Sequence, residues 1–181
     1  MSSEGHDDAA HQHRSYAPDS VTCAVITVSD SRTLQQDKSG DLIQALLEAA
    51  GHRVVERGIV RDERDEIRAL ASAAIERSDV DALLVTGGTG VAPRDCTIEA
   101  VESLLQKALP GFGELFRQFS FDEIGAAAML SRATAGVALR ADGSGAVVFA
   151  MPGSSGGVRT AMERLIVPEL AHLVGQLRRT N

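Results

Sequence analysis

With 181 residues, 44% of them hydrophobic, the chain is long enough to bury one substantial core, and nothing in it requires a second. A formal charge of −7, one Tyr, five Phe and no Trp argue against nucleic-acid binding through basic patches or stacking platforms, so an anionic small ligand needs local cations or a metal. No apolar run approaches the ~18 to 20 residues of a membrane span, and the polar start from Met1 to Asp19 lacks the apolar stretch of a secretory signal. The expected compartment is the cytoplasm, with no membrane and no nucleic acid among the partners.

Residues 1–19 carry His6, Asp7, Asp8, His11 and His13 among Ser, Gly and Ala. Their low hydrophobicity predicts a disordered tail, with residues 20–181 as the folded unit. Cys23 lies in an apolar run and reads as core. Cys96 reads as a small residue at a helix start, since two cysteines so far apart make neither a disulfide framework nor a metal knuckle.

Short apolar runs then alternate with amphipathic segments, the signature of a parallel α/β sheet. Cys23 to Val28 is the first strand. Leu42, Ile43, Leu46 and Leu47 form a helical stripe that stops at Gly51. Val54 to Val60 supplies the second strand, placed at an end or edge by Arg53, Glu56 and Arg57. Ile67, Leu70, Ala71, Ala74 and Ile75 repeat with helical spacing. A third strand, Ala82 to Val85, is followed by a helix from about Thr97 through Ile98, Val101, Leu104, Leu105 and Ala108. Leu109 to Gly113 interrupts that pattern and Glu114 to Phe121 restarts it. Val137 to Leu139 and Val147 to Ala150 flank Asp142-Gly143, a hairpin turn signal. The last helix runs from about Val158 towards Leu177, bent where Pro168 removes a backbone donor. The expected fold is an α/β, single-domain, three-layer α/β/α sandwich with a mostly parallel sheet and a small β-hairpin excursion.

The stretch from Thr86 to Thr97 carries the most chemistry. Gly87, Gly88 and Gly90 let backbone amides approach a ligand closely, as an anion cradle requires, and the N-terminus of the following helix is the place for a phosphate. Arg94 and Asp95 add a phosphate-pairing cation and a possible metal ligand. There is no Gly-Lys-Ser/Thr, which excludes a P-loop, and Gly88-Thr89-Gly90 lacks the third glycine of a dinucleotide fingerprint. A plain tight turn is the alternative. Bulk at Gly88 or Gly90 is expected to weaken ligand binding more than stability.

Polar loops also follow the other strands: Ser29-Asp30-Ser31, Arg61-Asp62-Glu63 and Pro152 to Gly157. In open parallel sheets, ligands bind beyond the carboxyl ends of strands, so four loops are expected to converge. Read by position alone, Asp62 suits capping the helix that contains Ile67 better than touching a ligand, while Asp95 is equally suited to the helix turn near Thr97 and to a ligand. Asp37, Lys38 and Ser39 are as suited to capping the next helix as to touching ligand.

In their order, Thr27-Val28-Ser29-Asp30, Thr86 to Gly90, Pro93 to Thr97, Pro110-Gly111-Phe112-Gly113-Glu114, Leu130-Ser131-Arg132 and Pro152-Gly153-Ser154 resemble the motifs of the MoaB/Mog family of molybdenum cofactor biosynthesis, related to the molybdopterin-binding domain of gephyrin. The resemblance runs from about Val21 to Leu177. It implies a doubly wound domain that binds molybdopterin, and in active members transfers AMP from Mg-ATP to the pterin's terminal phosphate, releasing pyrophosphate. ATP is then the co-substrate and Mg²⁺ the cofactor. The family's two acidic positions match Asp62 and Asp95, implied as catalytic and as Mg²⁺ ligands. Ser29, Asp30, Gly87, Gly88, Thr89, Gly90, Arg94, Ser131, Arg132, Pro152, Gly153 and Ser154 are the implied phosphate and substrate contacts. The stretch from Phe112 to Ser154 resembles the MoaB branch, whereas Arg61 to Glu63 and Pro93 to Thr97 resemble the adenylyltransferase pattern. A noncatalytic molybdopterin-binding or assembly protein is the alternative. The resemblance also implies a homotrimer, or a hexamer of two trimers.

Overall fold

Three apolar runs that can be covered on both sides make the centre of a six-stranded sheet. The structure, a computed structural model, describes residues 17–179; the expected disorder of residues 1–16 thus falls outside the described residues. The strands are β1 (Thr22–Val28), β2 (Arg53–Val60), β3 (Ala82–Thr86), β4 (Lys107–Ala108), β5 (Thr134–Leu139) and β6 (Gly145–Met151). Their spatial order is β2-β1-β3-β6-β5-β4. β2, β1, β3 and β6 run parallel, β5 pairs antiparallel with β6, and β4 pairs antiparallel with β5. The expected edge position of β2 is borne out.

Helices cover both faces: α1 (Lys38–Ala49), α2 (Arg64–Glu76), α3 (Thr97–Glu102), α4 (Pro110–Ile124), α5 (Ser155–Ala161) and α6 (Val167–Leu177). Side chains alternate across the strands, so Cys23, Val25, Leu84, Phe149 and Met151 pack with α1, α4, α5 and α6. Ala24, Ile26, Leu83, Val85 and Val148 pack with α2 and α3 on the opposite face. Cys23 is fully buried, and burial followed by the nearby Asp81 charge pushes its thiol up to about 12. It is a core residue, as its position predicts.

The structure differs from the sequence reading in the middle of the chain. α3 ends at Glu102, and Ser103 turns its hydroxyl back to the Ala100 carbonyl at 2.7 Å. Leu104 and Leu105 therefore leave the helix. Ala108 belongs to β4, paired antiparallel with Gly136 of β5. The next helix begins at Pro110 instead of Glu114, because proline in the first turn gives up an amide that would be unpaired anyway. A 3₁₀ stretch, Gly125–Leu130, follows. Near the C-terminus a π-helical turn, Met162–Ile166, joins α5 to α6 just ahead of Pro168, so the expected bend takes the form of a widened turn.

Register fixes the ends of the strands. Thr27 lies opposite Thr86, Thr86 opposite Met151, and Val28 opposite Val60. The four expected loops consequently leave the sheet at one edge. The chain crosses from one side of β1 to the other there, the topological switch point at which α/β sheets hold ligands.

Candidate functional site

A cleft of about 500 Å³ opens at this edge. Its wall contains Ser29, Gly87, Gly88, Thr89, Gly90, Asp95, Ser131, Pro152, Gly153 and Ser154 of the expected residues. Ser31, Arg32 and Leu130 also line it and were missed. A cation in the first strand-exit loop of a chain this acidic was the signal for Arg32. Asp30, Asp62, Arg94 and Arg132 stand behind or beside the cleft.

Two glycine loops meet at its floor. A Cβ on Gly153 would lie 3.0 Å from Gly87 Cα, so any larger residue would push the two loops apart by a few tenths of an ångström. The Gly87 amide donates to the Met151 carbonyl at 3.1 Å, and Thr86 Oγ1 donates to the Pro152 carbonyl at 3.0 Å. Ser39 ties the first loop to the last, donating to the Gly153 carbonyl at 2.8 Å and accepting from Arg32 Nη1 at 3.0 Å. Asp37 does cap α1, accepting from the Gly40 amide at 2.9 Å; its other oxygen takes Thr27 Oγ1 and Arg57.

The glycine loop is held by its carbonyls. Arg132 Nε donates to the carbonyls of Thr89 and Gly90, both at 3.0 Å, and Nη2 to that of Asp95 at 3.0 Å. Nη1 pairs with Glu99, whose carboxyl this contact holds below its ordinary range. The Gly88 carbonyl accepts from the Thr97 amide at 3.0 Å. Among the described residues, the amides of Gly88, Thr89 and Gly90 donate to no protein group. Donors left over at a loop that lines a cleft form a ready anion cradle. Arg132 is therefore spent on building the loop, and the structure does not bring it to the cleft.

Both acidic residues meet this loop. A Cβ on Gly90 would lie 2.6 Å from Asp95 Oδ2, and one on Gly88 would lie 2.6 and 2.8 Å from the two Asp62 oxygens and against Thr97 Oγ1. Gly88 has φ +60° and Gly87 φ +97°, where side chains are strained. Bulk at Gly88 is therefore expected to strain the backbone and to lower stability in addition to weakening binding. Asp95 folds back to accept from the Ala92 amide at 2.9 Å. Asp62 does not cap α2, whose N-cap is Glu63; it crosses to α3, accepting on Oδ1 from the Cys96 amide and thiol, each at 3.3 Å. Burial, then this carboxylate, pushes the Cys96 thiol up to about 11, which leaves it protonated at neutral pH.

Arg94 forms a fork with Asp30 at 2.9 and 3.0 Å and reaches Glu63 at 3.3 Å. The Arg94 guanidinium, helped by the Asp62 amide, holds the Asp30 carboxyl below its usual range. Asp30 also braces Asp62, accepting its amide at 3.2 Å. These two residues thus link the first, second and third loops. Among the described residues no group of three or more His, Cys, Asp or Glu is arranged to hold a metal ion.

A doubly wound α/β protein whose glycine loops line a cleft at its switch point is the class that this fold and site define. Residues 24–172 match the family described as "Probable molybdopterin binding domain", and the chain belongs to the MoaB/Mog family of molybdenum cofactor biosynthesis proteins. Molybdenum cofactor biosynthesis protein B of Halalkalibacterium halodurans is 51% identical over 170 residues, spanning 93% of this chain and 97% of the relative. A crystal structure of a molybdenum cofactor biosynthesis protein B superposes with a TM-score of 0.85 at 50% identity, covering 91% of this chain and 99% of that one. The tungsten cofactor synthesizing protein MoaB from Pyrococcus furiosus gives a TM-score of 0.81 at 39% identity, covering 90% and 100%.

Proposed function

We propose that this protein binds molybdopterin and transfers AMP from ATP to its terminal phosphate. The observation that carries the reading is the set of unpaired amides at Gly88, Thr89 and Gly90, beside two carboxylates that approach the same loop from different directions. The amides take one phosphate, and Arg32 supplies the cationic side chain of the cleft. A pterin phosphate oxygen then attacks the α-phosphorus of ATP, the bond to the bridging oxygen breaks, and pyrophosphate leaves. The attacking group is already anionic, so no base and no covalent enzyme intermediate are required. Positioning and charge neutralisation do the catalysis.

The residues present fit Mg²⁺. This cation prefers oxygen ligands and is held through one or two carboxylates plus substrate phosphates, so a three-residue protein cluster is not needed. Asp62 and Asp95 supply the oxygens, and Thr97 Oγ1, a buried polar atom without a partner, lies at the same cradle. Bound there, Mg²⁺ supplies charge neutralisation for the triphosphate. Asp62 and Asp95 fix where that charge sits, while the closed back of the loop keeps the amides in place.

Assembly as a homotrimer or a hexamer of two trimers belongs to the same proposal. Of nine exposed large hydrophobics among the described residues, five (Leu115, Phe121, Ile124, Met129 and Leu130) fall between positions 115 and 130, an apolar surface suited to burial. A cytoplasmic site of action is proposed as well; no helix of the described residues is long and apolar enough to cross a membrane.

The test is to incubate the purified protein with molybdopterin and Mg-ATP and to follow adenylylated pterin and pyrophosphate. Stoichiometric appearance of both is expected. Pterin binding without AMP transfer would replace the enzyme with the binding or assembly protein.

A further inference from the structure

Thr97 is fully buried at the first position of α3, and its hydroxyl has no hydrogen-bond partner. Only one other buried side-chain atom of the described residues is in this position, Arg57 Nε. Arg57 has further nitrogens, which hold Asp37 and Asp41. Thr97 has no second polar side-chain atom to compensate. A hydroxyl left permanently unpaired in the interior is costly, so its presence asks for a state in which it is paired.

An acceptor crowded against the same point as this hydroxyl is Asp62. Both side chains crowd the same point beside Gly88 Cα, where a Cβ would touch Thr97 Oγ1 and both carboxylate oxygens. Asp62 Oδ1 is occupied from the Cys96 side, by an amide and a thiol at 3.3 Å. Oδ2 receives no hydrogen bond from the described residues. The carboxylate is thus held on one oxygen through two long contacts, and its other oxygen sits beside the hydroxyl, 2.6 and 2.4 Å respectively from the point that a Gly88 Cβ would occupy.

Resting on the reading of Asp62 as a carboxylate that aligns a cation with the substrate phosphates, we propose that Thr97 is a positioning residue: its hydroxyl donates to Asp62 Oδ2 when that carboxylate engages the cation. Cys96 then holds one oxygen and Thr97 the other, and the plane of the carboxylate is fixed. Thr97 touches no substrate. It acts through Asp62 alone, from beneath the cradle.

The experiment compares the full chain with Thr97→Val, which keeps the shape and removes the hydroxyl, and Thr97→Ser, which keeps the hydroxyl. Mn²⁺ alone is the probe, titrated with detection of free Mn²⁺ by electron paramagnetic resonance, beside thermal unfolding without metal. Thr97→Val is expected to bind Mn²⁺ about tenfold more weakly, the scale of losing a hydrogen bond to a charged group, while its metal-free midpoint is unchanged or raised. Thr97→Ser is expected to retain wild-type affinity. Equal affinity in wild type and Thr97→Val would overturn the proposal. So would a Thr97→Ser variant as weak as Thr97→Val, a metal-free midpoint lowered by several degrees in Thr97→Val, or a wild-type chain that takes up no Mn²⁺. A wild-type chain that shows the Thr97 dependence yet transfers no AMP would remove the transferase reading and leave this one standing.

Discussion

The glycine loop has two sides, and they are chemically opposite. Behind it, Arg132, itself held by Glu99, and the Thr97 amide consume the carbonyls of Gly88, Thr89, Gly90 and Asp95. In front, the amides of the loop, Ser131 and the single cleft arginine Arg32 face a cavity with donors to spare. The two arginines make the contrast plain. One is occupied by protein oxygens on four residues, while the other holds only Ser39 and, among the described residues, pairs with no carboxylate. A loop can offer its amides to a ligand only if its carbonyls are fixed elsewhere, so the saturated side makes the unsaturated side possible.

The largest effect is expected at the residues between the two sides. Asp95→Asn and Asp62→Asn keep size and hydrogen-bonding shape while removing charge, so each should slow AMP transfer by at least about a hundredfold with the fold intact. Single-turnover assays at saturating Mg-ATP, beside circular dichroism, measure this. Wild-type rates in both variants would reduce the carboxylates to structural supports of the loop.

Next comes the back of the loop. Arg132→Gln strands several carbonyls and should cost about 2 kcal/mol of stability, with weaker pterin binding as a consequence. Urea unfolding and a calorimetric pterin titration report the two quantities. The smallest effect is expected at the front, where Arg32→Ala should weaken pterin binding about fivefold and leave stability within about 0.5 kcal/mol. A stability loss at Arg32 and none at Arg132 would reverse the assignment of the two sides.

Much of this architecture is legible before folding. The parallel strands announce themselves as short apolar runs because both their faces are covered, and Gly51 and Asp37 mark helix ends by local chemistry that needs no tertiary context. Middle-chain boundaries are less legible. Leu104, Leu105 and Ala108 continue a helical spacing, yet pairing of β4 with β5 at the sheet edge outweighs so weak a periodicity. The convergence of the four polar loops follows from strand order, which the alternating pattern suggests and the register establishes.

The sequence by itself determined the kinds of group available: glycines for an exposed backbone, two acidic residues in separate loops, and arginines near both. Only the tertiary structure decided which of those groups are spent and which are free. Arg94, Arg132 and Arg32 look alike in the chain, and each could meet a phosphate. In the folded protein Arg94 is taken by Asp30 and Glu63, Arg132 by carbonyls and Glu99, and Arg32 alone is left in the cleft. The reason is physical: a guanidinium pairs with whichever oxygens the fold carries to within about 3 Å, and those partners lie tens of residues away in sequence.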